Sequence, residues 1–350
     1  MPRSCSRWAA VPLILLAFCA PAGARERTKH LLSELAKTQG DDQLRVITAL
    51  GRSGKGAAVG ALLKVFDIRS DAPKRSAAVI LALGRLEDEK AVEPLIAALD
   101  YLTTQGLQGE LPPRLQALRN SAVEALGAIG GDRAKATLSG LLGDGDEAVV
   151  AAAVRGLGRS RDKRSLDQLI ELAGRGGALA QAVFEALGRI ADAKALPVLQ
   201  RGLASEKPLE RLPAAYALAL MRRPGEEVLE AALEPGSDGD KPGILAAYYL
   251  TKLDRAAGLD HLIMLLQADG NPSQALAAES LGKAGNPKAA LALTEQLGSE
   301  DPAVRLVAVR ALGQLGGKRA VQALQRAKND PDPGVRAAAR FGLADCGELD

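Results

Sequence analysis

The stretch that decides the fold is "AVRLVAVRALGQLGGKRAVQALQ", residues 303–325, in which a Leu-Gly pair interrupts a helical pattern. Glycine inside a helix costs about 1 kcal/mol relative to alanine, so its presence here needs a reason. The pair recurs along the chain within the motif A-L-G-x-x-G, and we use its leucine as a marker. The markers follow one another at a nearly constant spacing, which lengthens only between Leu83 and Leu126. They are Leu50, Leu83, Leu126, Leu157, Leu187, Leu218, Leu250, Leu281, Leu312 and Leu343.

Each unit between markers is predicted to contain two helices. The helix that carries the marker is clearest at 301–316 and 332–347, where Asp301 and Asp332 occupy the N-cap position and a proline follows each of them. A second amphipathic helix follows, for example over 192–205 or 317–330. The pattern therefore predicts an all-α chain of about ten helix pairs, which suits a composition that is 47% hydrophobic but only 3% aromatic.

The glycine after the marker is predicted to be a packing residue. A hydrogen at this position lets neighbouring helices approach closely, and near a helix end it also eases the following turn. The glycines concerned are Gly51, Gly84, Gly127, Gly158, Gly188, Gly282 and Gly313.

The units resemble HEAT repeats, especially the short, alanine-rich form seen in phycobilisome-lyase-like proteins. The residues that carry the resemblance are D-P-x-V-R-x-x-A-x-x-A-L-G-x-L-G in the ninth unit, with close copies over 118–144 and 183–203. The resemblance implies a right-handed α-solenoid, with a period of about 31 residues, that forms one domain over 25–350. It also implies that the helices with the markers line the concave side.

The N-terminal residues 1–24 are predicted to be a signal peptide. Arg3 and Arg7 precede an apolar run from Trp8 to Ala20, which is too short to span a bilayer, and a small-x-small cleavage pattern ends at Ala24. The alternative of a lipoprotein signal at Cys19 is disfavoured because the bulky Phe18 precedes it. We therefore expect export to the periplasm or the extracellular space, with a soluble mature chain beginning at Arg25.

Charge and cysteine content narrow the classes of partner. Removal of residues 1–24 removes Arg3 and Arg7 from the 45 Lys and Arg residues, which leaves 43 basic residues against 42 Asp and Glu. A nearly neutral chain of this kind argues against nucleic acid as a binding partner. Cys346 is then the remaining cysteine, either a half-buried thiol in the last helix or a residue for pairing between chains.

Positions two before and two after each marker are predicted to point outward together, because they are four residues apart on a helix. They give one basic edge beside a mixed row with two tyrosines, which suits an extended or acidic protein segment. The alternative is that the basic residues merely complement the helix dipoles. The candidate surface consists of Arg85, Arg155, Arg159, Arg189, Tyr216, Tyr248, Lys252, Lys283 and Arg310.

The register breaks in two places. Residues 101–114 are an insertion, either a tolerated loop or a binding element. The repeats over about 192–254 are irregular, since Ala219 and Thr251 replace the marker glycine and a turn-rich stretch follows at 234–243.

No constellation of catalytic residues is apparent in the sequence. The enzyme deoxyhypusine hydroxylase shares this architecture and holds iron through His-Glu pairs, but here leucine follows both His30 and His261. We therefore expect no catalytic residue, no metal and no cofactor. The sequence predicts an exported, non-enzymatic scaffold that binds proteins through the concave surface, with self-association through the solenoid ends left open. The alternative, implied by the resemblance alone, is a bilin-lyase-like enzyme or chaperone.

Overall fold

The structure is a computed structural model that describes residues 21–54, 56–70, 72–107, 111–233, 241–268, 270 and 272–347. Most of the predicted signal peptide, residues 1–20, lies outside the described residues, so export and cleavage after Ala24 stay predictions. The predicted cleavage site itself falls in the first helix, which begins at Pro21.

The described residues form α-helices joined by turns and short 3-10 segments, without a strand. The helices are α1 (Pro21–Leu35), α2 (Gly40–Gly51), α3 (Gly56–Val65), α4 (Pro73–Leu86), α5 (Val92–Leu107), α6 (Pro113–Ile129), α7 (Gly131–Gly140), α8 (Glu147–Arg159), α9 (Leu166–Arg175), α10 (Ala180–Ile190), α11 (Leu196–Leu203), α12 (Pro208–Leu220), α13 (Arg223–Ala231), α14 (Lys241–Lys252), α15 (Ala256–Gln267), α16 (Gln274–Ala284), α17 (Ala289–Glu295), α18 (Pro302–Leu315), α19 (Gly317–Ala327) and α20 (Pro333–Asp345). The predicted helix pairs are all found among the described residues, and the even-numbered helices, which we call the marker helices, carry the marker leucines.

The chain divides into two compact units, an N-terminal unit over Met1–Ser121 and a C-terminal unit over Ala122–Asp350. In each unit the core runs through the middle of the helix pairs. The marker leucines form its centre: Leu50 and Leu83 in the first unit and Leu126 and Leu312 in the second are fully buried. The prediction of an all-α solenoid is confirmed.

The predicted N-caps are confirmed at the two clearest marker helices. The Asp301 carboxylate accepts a hydrogen bond of 2.8 Å from the Ala303 amide, and the Asp332 carboxylate accepts one of 2.9 Å from the Val335 amide. These bonds satisfy backbone donors that the first turn of a helix leaves without a partner.

The marker glycines are packing residues, as predicted. A Cβ placed on Gly127 would lie 2.5 Å from the Gly156 Cα, and one on Gly188 would lie 2.6 Å from the Ala217 Cα. Consecutive marker helices therefore touch backbone to backbone at these points. The turns that follow are made by other glycines with positive φ, such as Gly130 and Gly316, and not by the marker glycines.

The irregular repeats keep their helix pairs, but a glycine brings the two helices of one repeat together instead of two consecutive marker helices. Where Ala219 and Thr251 replace the marker glycine, Gly225 and Gly258 bring the odd-numbered helix against the marker helix of the same repeat. A Cβ on Gly225 would overlap the Leu218 carbonyl group, and one on Gly258 would lie 2.5 Å from the Ala247 carbonyl oxygen.

The predicted insertion at 101–114 is not a loop throughout. Residues 101–107 extend α5 by about two turns, and α6 already begins at Pro113. Residues 108–110 lie outside the described residues, as do residues 234–240 of the turn-rich stretch.

Candidate functional site

The predicted surface residues lie on the outer side of the marker helices. Tyr248 is half-buried and the other residues of the set are exposed. Arg85 belongs to the N-terminal unit, and the rest belong to the C-terminal unit. We therefore describe the site within the C-terminal unit.

Three marker helices of that unit form an open pocket of about 250 Å³. The side chains of α6, α8 and α10 that surround it include three arginines and two glutamates, and small alanines lie between them. We call it the arginine pocket; it is lined by Glu124, Arg155, Arg159, Ala182, Glu185, Ala186 and Arg189.

Two of the three arginines in this pocket have carboxylate partners. Arg155 Nη2 lies 3.0 Å from Glu124 Oε1 on the preceding marker helix, and Arg189 Nη2 lies 2.8 Å from Glu185 Oε1 one turn earlier. Arg159 Nη2 donates a long hydrogen bond of 3.4 Å to the Glu124 carbonyl oxygen. On the edge that the sequence predicts as basic, the charge of Arg189 is thus partly neutralised by Glu185, and in the mixed row beside it the charge of Arg155 is partly neutralised by Glu124.

These ion pairs are exposed, which matters for what the pocket can do. The side chains of Arg155 and Glu124 are 45% and 49% exposed, and those of Arg189 and Glu185 are 42% and 33% exposed. Exposed ion pairs contribute only about 0–1 kcal/mol, so an incoming anion can replace a glutamate as partner at low cost. The pocket is therefore suited to binding carboxylate or phosphate oxygens through its arginines.

Beyond α10, three tyrosines form a cluster across α12 and α14. The ring centroids of Tyr216 and Tyr249 are 6.1 Å apart, and those of Tyr248 and Tyr249 are 5.0 Å apart with the rings edge to face. Burial, with smaller effects from Tyr248 and Tyr216, raises the pKa of Tyr249 to about 12. Its phenol is therefore a neutral hydrogen-bond donor over the physiological pH range.

The exposed face of α12 continues this cluster with leucines. Leu209 and Leu212 are 78% and 52% exposed, and Tyr216 is 39% exposed. Positions separated by three and four residues share one helix face, so these side chains form a stripe. We call Leu209, Leu212, Tyr216, Tyr248 and Tyr249 together the tyrosine patch. Sequence reasoning missed Tyr249 and both leucines, although the helical spacing of the leucines from Tyr216 is visible in the sequence.

Cys346 is half-buried near the end of α20, as one of the two alternatives predicts. Its Sγ lies 3.8 Å from the Gly313 carbonyl oxygen. Within the described ranges no group of three or more His, Cys, Asp or Glu side chains is arranged to hold a metal ion.

Sequence models of two families match the chain. The family described as HEAT repeats matches residues 114–178 and 259–344, and the PBS lyase HEAT-like repeat matches residues 77–101, from α4 into α5. Together with the helix pairs, these matches define the class of protein, an α-solenoid built from helical repeats. The chain is a HEAT-repeat protein, and part of it has the PBS lyase form of the repeat.

A curated relative and two solved structures are similar to this chain. Phycocyanobilin lyase subunit alpha of Nostoc sp. (strain PCC 7120 / SAG 25.82 / UTEX 2576) is 33% identical over 157 residues, which are 41% of this chain and 54% of that protein. The chain thus matches about half the length of this relative. The complex of CpcE and CpcF of phycocyanin lyase from Nostoc sp. PCC7120 is 18% identical with a TM-score of 0.33, covering 99% of this chain and 100% of that chain. The structure of Kap95p with RanGDP is 10% identical with a TM-score of 0.51, covering 95% of this chain and 54% of that chain, and it supports the solenoid fold alone.

The relative corrects two predictions. The sequence predicts a non-enzymatic, exported scaffold, but the curated protein similar to it is a lyase subunit. The prediction that the chain is not an enzyme, and with it the scaffold function, is wrong. The prediction rested on the lack of a recognisable catalytic motif in the sequence, which does not exclude an enzymatic function.

The broader prediction of protein partners agrees with the class, since HEAT-repeat solenoids generally bind proteins. None of the described helices is both long and apolar enough to cross a bilayer.

Proposed function

We propose that this chain is a bilin-lyase-like protein that binds a linear tetrapyrrole on the marker helices of its C-terminal unit. The observation that carries the proposal is the arginine pocket. Phycocyanobilin, the compound in the relative's name, is an open-chain tetrapyrrole with two propionate side chains. Arg155, Arg159 and Arg189 supply planar guanidinium groups that match such carboxylates.

The electrostatics of the pocket support an anionic ligand that arrives with its own carboxylates. Arg159 donates to a backbone carbonyl and not to a carboxylate, and it lines the pocket beside the two ion pairs. A propionate bound there would form a charge-assisted hydrogen bond, and Arg189 can turn from Glu185 to the second propionate.

The test is a titration of the purified chain with phycocyanobilin, followed by visible absorbance. The double variant Arg159→Ala/Arg189→Ala is expected to bind the free acid at least about tenfold more weakly, because two charge-assisted contacts are lost. The bilin dimethyl ester, which has no carboxylates, is expected to bind both proteins equally. Arg201→Ala/Arg223→Ala is the matched control, with the same loss of charge on the exposed surface of α11 and α13.

Unchanged affinity of the arginine variant for the free acid would refute the role of the pocket. Failure of the unaltered chain to bind either compound would refute the proposed function itself. An extended or acidic protein segment, the partner predicted from the sequence, remains a prediction, and the carboxylates beside Arg155 and Arg189 reduce the positive charge available to it.

A further inference from the structure

We propose that the tyrosine patch holds the pyrrole rings of the ligand whose propionates enter the arginine pocket, so that the chromophore lies across α10, α12 and α14. This inference rests on the proposed function and assigns the second half of the same site.

The size of the arginine pocket requires such an extension. Pockets that enclose a drug-sized ligand have volumes of about 300–1,000 Å³, and the arginine pocket has about 250 Å³. A molecule with four pyrrole rings cannot fit inside it. The pocket can take the carboxylate ends, and the ring system must then lie on an adjacent surface.

The repeat geometry places the tyrosine patch next to the pocket. Glu124 and Arg155 occupy the same position in consecutive repeats, two residues before their markers, and their side chains meet at 3.0 Å. Glu185 and Tyr216 occupy that same position in the next pair of consecutive repeats, on α10 and α12. The Gly188–Ala217 contact holds these two helices backbone to backbone. One wall of the arginine pocket is therefore continuous with the first ring of the patch.

The chemistry of the patch matches conjugated rings with polar edges. Aromatic faces and the exposed leucines offer apolar surface to the pyrroles, and aromatic rings pack on one another in preferred stacked or edge-to-face arrangements. The phenol of Tyr249 stays protonated and can donate to a lactam oxygen of a bilin. A ligand with anionic groups at one side and rings at the other is thus complementary to both halves of the site.

The closing experiment uses the full chain with phycocyanobilin and its dimethyl ester. Tyr216→Leu is expected to weaken the binding of both compounds about tenfold, and to change the ratio of visible to near-ultraviolet absorbance of the bound bilin, which reports how extended the chromophore is. Phe341→Leu is the matched control. Phe341 occupies the same position before its marker and is 70% exposed, but it lies on α20, which does not line the arginine pocket.

The outcomes separate the two proposals. If the unaltered chain binds the bilin and Tyr216→Leu binds both compounds as well as Phe341→Leu does, the ring site is wrong while the proposed function stands. If Tyr216→Leu weakens only the free acid, the tyrosine acts through the arginine pocket and the ring site is wrong again. If the unaltered chain binds neither compound, both proposals fall. Far-UV circular dichroism checks that each variant is folded.

Discussion

Gly225→Ala is expected to lower the melting temperature of the protein by roughly 5–10 °C, equivalent to about 2–3 kcal/mol. A Cβ at this position would overlap the Leu218 carbonyl oxygen and lie 2.7 Å from its carbonyl carbon. Both atoms belong to the backbone of α12, so no side chain can rotate away and the helices must separate. The measurement is thermal unfolding followed by far-UV circular dichroism.

The matched control for this prediction is Gly174→Ala. Gly174 lies in α9, a Cβ added there would meet no heavy atom within 4 Å, and its φ is not positive. Alanine there is expected to raise stability by about 0.5–1 kcal/mol, because it is the better helix former. Equal melting temperatures for Gly225→Ala and Gly174→Ala would show that the contact of α12 with α13 is not tight.

The repeat architecture could be predicted because the same few residues recur. The buried marker, with a glycine after it in seven of the ten repeats, identifies the marker helices, and Asp301 and Asp332 mark two helix starts. The sequence also contains a second recurring position in each repeat: the eighth residue after most markers is small, and the structure buries it. These residues are Ala58, Ala91, Ala134, Ser165, Ala195, Ala289 and Ala320.

The irregular repeats could not be predicted in the same way. Gly258 stands eight residues after its marker, so its packing role follows from the small-residue position. Gly225 stands only seven residues after its marker, one residue away from that position. Which backbone atoms it meets depends on how the two helices cross, and the spacing of residues does not define that crossing.

The sequence was sufficient to predict which positions of the candidate site are exposed, but not which side chains contact one another. Positions four apart on a helix identify the exposed residues of the marker helices, and the structure places Arg155, Arg159 and Arg189 together. The pairing of Arg155 with Glu124 joins two repeats, so it depends on their relative rotation. Tyr249 was missed because it stands one residue before its marker, where the pattern predicts burial, whereas its ring reaches the other two tyrosines.

Arg305→Met is expected to lower the melting temperature by roughly 5–15 °C, because it leaves the largely buried Asp330 carboxylate without its charged partner. Arg305 forms two hydrogen bonds of 2.9 Å with Asp330 and donates to the carbonyl oxygens of Ser299 and Glu300. The side chains of the ion pair are only 10% and 8% exposed. This arginine belongs to the D-P-x-V-R motif, and its counterpart in the last repeat is Arg336.

Arg336 is the internal control that separates the contribution of the Asp330 ion pair from that of the backbone contacts. It donates to the carbonyl oxygens of Asp330 and Pro331, just before its helix, as Arg305 does to Ser299 and Glu300. Arg336→Met is therefore expected to remove the same backbone contacts and to lower the melting temperature by only about 2–4 °C, equivalent to the loss of one net hydrogen bond. Equal effects of the two substitutions would mean that the ion pair with Asp330 adds nothing.

Acid gives an independent measurement of the same ion pair. The hydrogen bonds from Arg305 are the main cause that lowers the pKa of Asp330 below its ordinary value near 3.8. A carboxyl with a lowered pKa in the folded state stabilises the protein fully above that ordinary value, and this stabilisation is lost as the pH falls towards the folded-state pKa. Between about pH 5 and about pH 3 the melting temperature of the unaltered protein should therefore fall more steeply than that of Asp330→Asn, which has no carboxyl to protonate. If the melting temperatures of the two proteins fall equally steeply with pH, the expectation is wrong, and carboxylates other than Asp330 cause the loss of stability in acid.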